Sequence, residues 1–168
     1  MKLGDGVEQA IHCVLLLSGL PPDGVLPAAA LADFHGVSVS YLLKHLQALA
    51  AEGILLSVPG PRGGYRLARA PEHISLLDIV VAVEGPAPAF RCAEIRQRGP
   101  SPLAERFFKP PCAVNVAMQR AEKLYRGELE KVSIASLRQD PRSALGAAIN
   151  TRVCAYLETH QRRTKTLV

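Results

Sequence analysis

The sequence predicts a mainly α-helical fold with one small β-hairpin, and three observations predict it. Apolar residues recur at helical spacing through several separate stretches. A glycine- and proline-rich hexapeptide, Pro59-Gly60-Pro61-Arg62-Gly63-Gly64, joins two short β-prone runs. Between residues 86 and 111 lie Pro86, Pro88, Pro100, Pro102, Pro110 and Pro111, six of the 13 prolines, so no regular element is expected there. At 168 residues and 48% hydrophobic content, the chain can bury one core.

The elements follow in order. Val7, Ala10, Ile11, Val14, Leu15 and Leu17 predict an amphipathic first helix from about Gly6 to Ser18, ended by Pro21-Pro22-Asp23-Gly24. Pro27 opens a short helix through Ala30, Leu31 and Phe34, which Gly36 closes. Ser38 is a candidate N-cap for a helix reaching Ala51, with Val39, Leu42, Leu43, Leu46, Leu49 and Ala50 as its apolar stripe. Ser40, Tyr41, Lys44, His45 and Gln47 are then expected to face solvent, and Gly53 stops the helix. Ile54 to Val58 and Tyr65 to Ala68 are the hairpin strands. Ser75 caps a helix through Val83 that ends at Gly85. After the proline-rich segment, Val114, Ala117, Met118, Ala121, Leu124, Tyr125 and Leu129 form an apolar seam long enough to pair with a second chain. Ser133 to Leu137 adds a turn of helix. Ala144 to Leu157 is a further helical candidate, and Arg162-Arg163-Thr164-Lys165 reads as a solvated basic end.

Two helices joined by a glycine-containing turn and followed by a hairpin make a winged helix-turn-helix, whose second helix fits the major groove of DNA. Ser38, Ser40, Tyr41, Lys44 and His45 are the candidate contacts on that helix. Arg62 at the wing tip suits an adjacent minor groove, with Gly63 allowing close backbone approach. A net charge of +5 agrees with a polyanionic partner without requiring one. Four scattered cysteines are too few for a disulfide framework, which points to thiols or metal ligands in a reducing cytoplasm. Cys13 and Cys154 fall at apolar helical positions and read as buried small hydrophobes. His35, His73 and His160 lack convergent partners and are expected at the surface. The N-terminal stretch lacks the pattern of a signal peptide, and no run approaches transmembrane length.

Met1-Lys2-Leu3, Val7-Glu8, Val39-Ser40-Tyr41-Leu42, Gly63-Gly64-Tyr65-Arg66-Leu67-Ala68-Arg69 and Ile74-Ser75-Leu76-Leu77-Asp78-Ile79-Val80 resemble the Rrf2 family of bacterial transcriptional regulators over roughly residues 1 to 137. The resemblance implies a homodimer, a long dimerisation helix, and binding of double-stranded palindromic operator DNA. Iron-sulfur members carry three cysteines before the long helix. Here Cys92 and Cys112 match the first and last, and residues 94 to 111 contain none. The chain is instead similar to a redox-sensing branch in which Glu, His and two Cys hold a [2Fe-2S] cluster, and the matching residues are Glu8, His12, Cys92 and Cys112. That likeness implies Glu8 and His12 from one subunit and Cys92 and Cys112 from the other.

Residue chemistry agrees independently. Glu8 and His12, at i and i+4, leave one helical face, and thiolates are soft ligands for iron. The expected organisation is a DNA-binding unit over 1–85, a cluster loop over 86–111, a dimerisation region over 112–137, and a helical extension with a basic tail over 138–168. The leading expectation is a redox-responsive regulator, repressing in sense. A cluster-free member switched by Cys92/Cys112 thiols, a metabolite or a partner is the alternative, and Zn²⁺ would accept the same four ligands. No phosphate-cradling loop, nucleophile elbow or paired catalytic carboxylates suggest an enzyme.

Overall fold

The computed structural model describes residues 3–101, 103–138 and 142–163. Met1 and Lys2 of the family motif, Pro102, and Thr164 and Lys165 of the basic run lie outside them. Along the chain run α1 (Asp5–Leu17), β1 (Gly24–Val25), α2 (Ala28–His35), α3 (Val39–Ala51), β2 (Leu55–Val58), β3 (Gly64–Leu67), α4 (Leu76–Glu84), α5 (Ala113–Lys131), α6 (Ala144–His160) and β4 (Arg162–Arg163).

The core forms where α1, α2, α3 and α4 meet. Ala10, Cys13, Val14 and Leu17 of α1 close against Leu31, Leu42, Leu46, Leu49 and Ile79, all essentially fully buried. Each buried leucine or isoleucine contributes about 1.5–3 kcal/mol of transfer free energy. Gly36 adopts φ 65°, the left-handed conformation that ends α2 and turns the chain into α3. Ser75 and Asp78 build a reciprocal capping box on α4, with Asp78 N–H donating to Ser75 Oγ at 3.1 Å and Ser75 N–H donating to Asp78 Oδ2 at 2.8 Å.

β2 and β3 pair antiparallel with Leu55 opposite Leu67 and Val58 opposite Gly64, giving the expected hairpin. Gly63 lies in its closing turn, its N–H donating to Gly60 O at 2.8 Å. A Cβ at Gly63 would sit 2.0 Å from Val58 O, so only glycine fits. Tyr65 of β3 also exchanges backbone bonds with Leu26 (3.0 and 2.9 Å), which joins the hairpin to β1.

Several expectations are corrected. His45, expected on the solvent face of α3, is 6% exposed, because α1 packs over that side of α3 with Gly6 against the imidazole. Val39, expected in the apolar stripe, is 40% exposed, since the first turn of α3 projects beyond the core. Gly63, expected to meet DNA, is buried within its own turn. Ser38 occupies the N-cap position of α3, but its hydroxyl pairs with Ser40 Oγ at 3.0 Å instead of capping. Cys154 is exposed, because α6 turns a different face inward. His35 is half-buried between Phe34 and His12, its ring centroid 5.9 Å from that of His12. Arg162 and Arg163 are exposed, as expected of a solvated end, but their backbone pairs as β4 with β1.

α6 packs back onto α2. The Tyr156 hydroxyl lies 2.8 Å from both Ala30 O and Asp33 Oδ2, and the Arg152 guanidinium stacks 4.6 Å above the Phe34 ring. No helix among the described residues is long and apolar enough to cross a membrane.

Candidate functional site

Among its described residues the proline-rich segment contains two short 3₁₀ turns, Ile95–Gln97 and Glu105–Phe108, and its path is set by polar residues on one face of α5. Arg126 Nη2 donates to Pro86 O and Ala87 O (3.3 and 3.1 Å), Glu122 Oε2 accepts from Ala89 N–H (3.0 Å), and Gln119 Nε2 donates to Phe90 O (3.1 Å). Residues 126, 122 and 119 step down one helical face, so the loop runs antiparallel to α5 toward its N-terminus. This delivers Cys92 to Cys112, the N-cap residue of α5.

Cys92, Glu94 and Cys112 place their ligand atoms within 4.8 Å of one another. The Cys112 thiol is held below its ordinary range, chiefly by the N–H of Asn115, with the N–H of Val114, Arg96 and Cys92 acting in the same direction. A thiol at a helix N-terminus is stabilised as thiolate by such donors. Arg96 Nη2 donates to Glu94 Oε2 at 2.9 Å and holds that carboxyl below its usual range, while its guanidinium lies 5.2 Å over the Phe108 ring. Glu94 stands at φ 45°, a left-handed conformation that costs a non-glycine residue about 1–3 kcal/mol. Sequence reasoning did not select Glu94 or Arg96. The signal available was the Cys92-Ala93-Glu94 spacing, which places two donors two residues apart.

Glu8 and His12 both lie exposed on α1, one turn apart. With Asp5, Val7 and Ile11 they line an open cleft of about 340 Å³. Within the single chain they do not join the Cys92/Cys112 group among the described residues. The two halves of the expected ligand set therefore occupy separate surfaces. Cys13 is apart from both: burial pushes its thiol up to about 12, as suits an inert core residue.

The surface of α5 that the loop leaves uncovered carries several exposed apolar side chains among charged ones such as Arg120 and Lys123. Val114, Val116, Met118 and Leu124 are 44–66% exposed, and α5 contributes no fully buried residue. Ser38, Ser40, Tyr41 and Lys44 of the α3 helix, and Arg62 at the hairpin tip, are all exposed.

A family model for Rrf2, described as an iron-dependent transcriptional regulator, matches residues 3–140. YffB of Lactococcus lactis subsp. lactis (strain IL1403), named as an HTH-type transcriptional regulator, is 34% identical over 140 residues, covering 82% of this chain and 86% of YffB. IscR of Aliivibrio salmonicida (strain LFI1238), also named as an HTH-type transcriptional regulator, is 33% identical over 92 residues, 55% of each chain. This chain thus spans about half the length of that relative. Among solved structures, T. potens IscR superposes with a TM-score of 0.63 at 20% identity, covering 89% of this chain and 96% of its own. CymR (YrzC), the global cysteine regulator of B. subtilis, gives 0.62 at 20% identity, covering 82% and 95%. At these identities the likeness establishes the fold, a helical chain with a winged hairpin. The chain belongs to the Rrf2 family of transcriptional regulators.

Proposed function

We propose that this chain is a homodimeric repressor that binds a palindromic operator under the control of a [2Fe-2S] cluster, with Cys92 and Cys112 of one subunit and Glu8 and His12 of the other as ligands. Residues 1–85 would read DNA, 86–111 carry the cysteine loop, 112–137 form the dimer seam, and 138–168 brace the reading unit.

The observation that carries the proposal is the meeting of Cys92 and Cys112 at the start of α5, directly beside an uncovered helix face with exposed apolar side chains. Two thiols that converge, one of them with its pKa lowered by backbone N–H groups at the start of α5, fit iron. Glu8 and His12 fit the complementary half, because they share one exposed face and line a cleft that their own chain leaves open. Pairing of α5 with a second copy would bury its apolar residues and supply the contact between the halves. When bound, such a cluster supplies a one-electron change of charge, at a potential raised above all-cysteine ligation by its nitrogen and oxygen ligands. On the reading face, Ser38, Ser40, Tyr41 and Lys44 supply donors for phosphates and base edges, and Arg62 reaches from the wing.

A second reading rests on Glu94. Cys92, Glu94 and Cys112 already form a three-donor group within one chain, which suits a Zn²⁺ ion with an open fourth position. Anaerobic purification followed by iron, zinc and acid-labile sulfide analysis, on wild type and Cys92→Ala, separates the two. Brown protein with equimolar iron and sulfide, lost in Cys92→Ala, supports the cluster. Colourless protein carrying zinc and no sulfide supports the second reading. Equal DNA affinity of oxidised, reduced and cluster-free protein would sink cluster control.

A further inference from the structure

β4 is two residues long, yet it ties the C-terminal segment to the wing. Val25 pairs with Arg162 and Gly24 with Arg163, while Leu26, the next residue along, pairs with Tyr65 of β3. The strand order across the wing is thus β4, β1, β3, β2. α6 sets the position of β4: Leu157 is buried at the base of α1, and its carbonyl accepts from Gln161 N–H at 2.9 Å.

Successive side chains of a strand leave opposite faces. Arg163 sends its Nε to 3.9 Å from Asp23 Oδ2, an acidic partner on the preceding turn. Arg162 goes to the wing tip instead, where Nη1 donates to Pro61 O at 2.6 Å, one residue before Arg62. A neutral carbonyl takes one of the five guanidinium donors and none of the charge. Among the described residues Arg162 has no carboxylate partner, and it is exposed. The hairpin tip therefore presents two cations, Arg62 and Arg162, drawn from segments 100 residues apart (162 − 62). Like charges drawn to one end of the hairpin repel, and a polyanion in front of them attracts both and offsets that repulsion.

We propose that Arg162, carried to the wing tip by β4, contacts a DNA phosphate, so that the DNA-binding surface is built from the winged helix together with the C-terminal strand. The inference rests on the DNA-binding reading above. The bond to Pro61 fixes the guanidinium in place, and its remaining N–H groups are free to meet phosphate oxygens, as arginine does bidentately.

The test is a salt titration of binding to mixed-sequence duplex DNA by full-length wild type, Arg62→Ala, Arg162→Ala, Arg162→Lys and Arg163→Ala. Loss of a phosphate contact lowers the slope of log affinity against log salt by about 0.9 for each bound subunit. The deficit of Arg162→Ala relative to wild type should then shrink about 3.5-fold for each bound subunit, about 12-fold for a dimer, over a fourfold rise in salt. Arg162→Lys should keep the wild-type slope, and Arg163→Ala, whose charge is partly matched by Asp23, should change it less than Arg162→Ala. An unchanged slope in Arg162→Ala, with or without lower affinity, would make the residue a brace for the wing and overturn the proposal. If Arg62→Ala loses slope while Arg162→Ala does not, only this inference fails. A wild type without measurable affinity for duplex DNA overturns the DNA-binding reading and the inference with it.

Discussion

Gly6→Ala tests the contact that seats α1 on the α3 helix. Gly6 is buried, and a Cβ built on it would lie 2.3 Å from His45 Cε1 and 2.5 Å from Nε2. The ring cannot simply leave, because it is 6% exposed and stands edge-on to Tyr41 at a centroid distance of 4.8 Å. Overpacking a closed site costs about 1–3 kcal/mol. Against this, Gly6 is the second residue of α1, and replacing a first-turn glycine by alanine is worth at most about 0.5–1 kcal/mol. The clash is with the end of a two-torsion side chain, which swings more cheaply than backbone, so the cost falls in the lower half of its range. The net expectation is a loss of about 1 kcal/mol, or a melting temperature lower by about 2–4 °C for a chain of this size. Urea and thermal unfolding would read it. In a His45→Ala background the space is empty, and the same Gly6→Ala change should instead stabilise, by up to about 0.5–1 kcal/mol. Stabilisation by Gly6→Ala with His45 intact would refute the close approach.

Tyr156→Phe removes the hydroxyl that bridges α6 to Ala30 and Asp33; burial first, and then Asp33, push that hydroxyl to about 12. It should lower unfolding stability by about 0.5–1.5 kcal/mol, measured by urea denaturation. Lys44→Ala should weaken duplex binding, with the salt slope falling by about 0.9 per bound subunit in a fluorescence titration. Burial, reinforced by Lys44 and opposed by Glu84, lowers the His45 pKa from 6.5, so the unfolded chain takes up the proton first. The neutral ring therefore contributes stability that is fully present above the unfolded value and is lost as pH falls below it. Urea midpoints should fall as pH drops below the ordinary histidine value of 6.5 in wild type, and fall less in His45→Gln.

The helices were legible because their apolar spacing and stop signals agree. Gly36 and Gly85 both stand at positive φ, the conformation that made them credible ends. Cys13 also reads correctly as a core residue, since its neighbours Ala10, Val14 and Leu17 repeat on the same stripe. What stayed hidden depends on contacts between distant segments. His45 sits on the polar arc of α3 when that helix is viewed alone, and only the missing side chain of Gly6, 39 positions away (45 − 6), makes room to bury it. β4 has no local signature, because two arginines become a strand only when Gly24 and Val25 offer an edge. At the candidate metal site, the pairing of Cys92 with Cys112 came from resemblance, whereas Glu94 joins them through a backbone conformation that local propensity disfavours.

The positions of the two candidate ligand pairs decide how a change between them would reach DNA. α1 carries Glu8 and His12 on its exposed face and Gly6, Ala10 and Cys13 on its buried one, so a pull on the former moves the latter as one rigid unit. On the buried side the first object met is the His45 ring, one turn along α3 from Tyr41 and adjacent to Lys44. Close-packed interiors transmit such a displacement. α5, with Cys112 at its start, reaches the same core through α4, where Ser75 and Leu76 are bonded to the segment following α5 at Ser133 and Val132. A cluster held jointly by α1 of one subunit and the α5 N-terminus of another would therefore act on the reading helix through Gly6 and His45. Widening that contact with Gly6→Ala should shift DNA affinity even where the ligand residues are untouched.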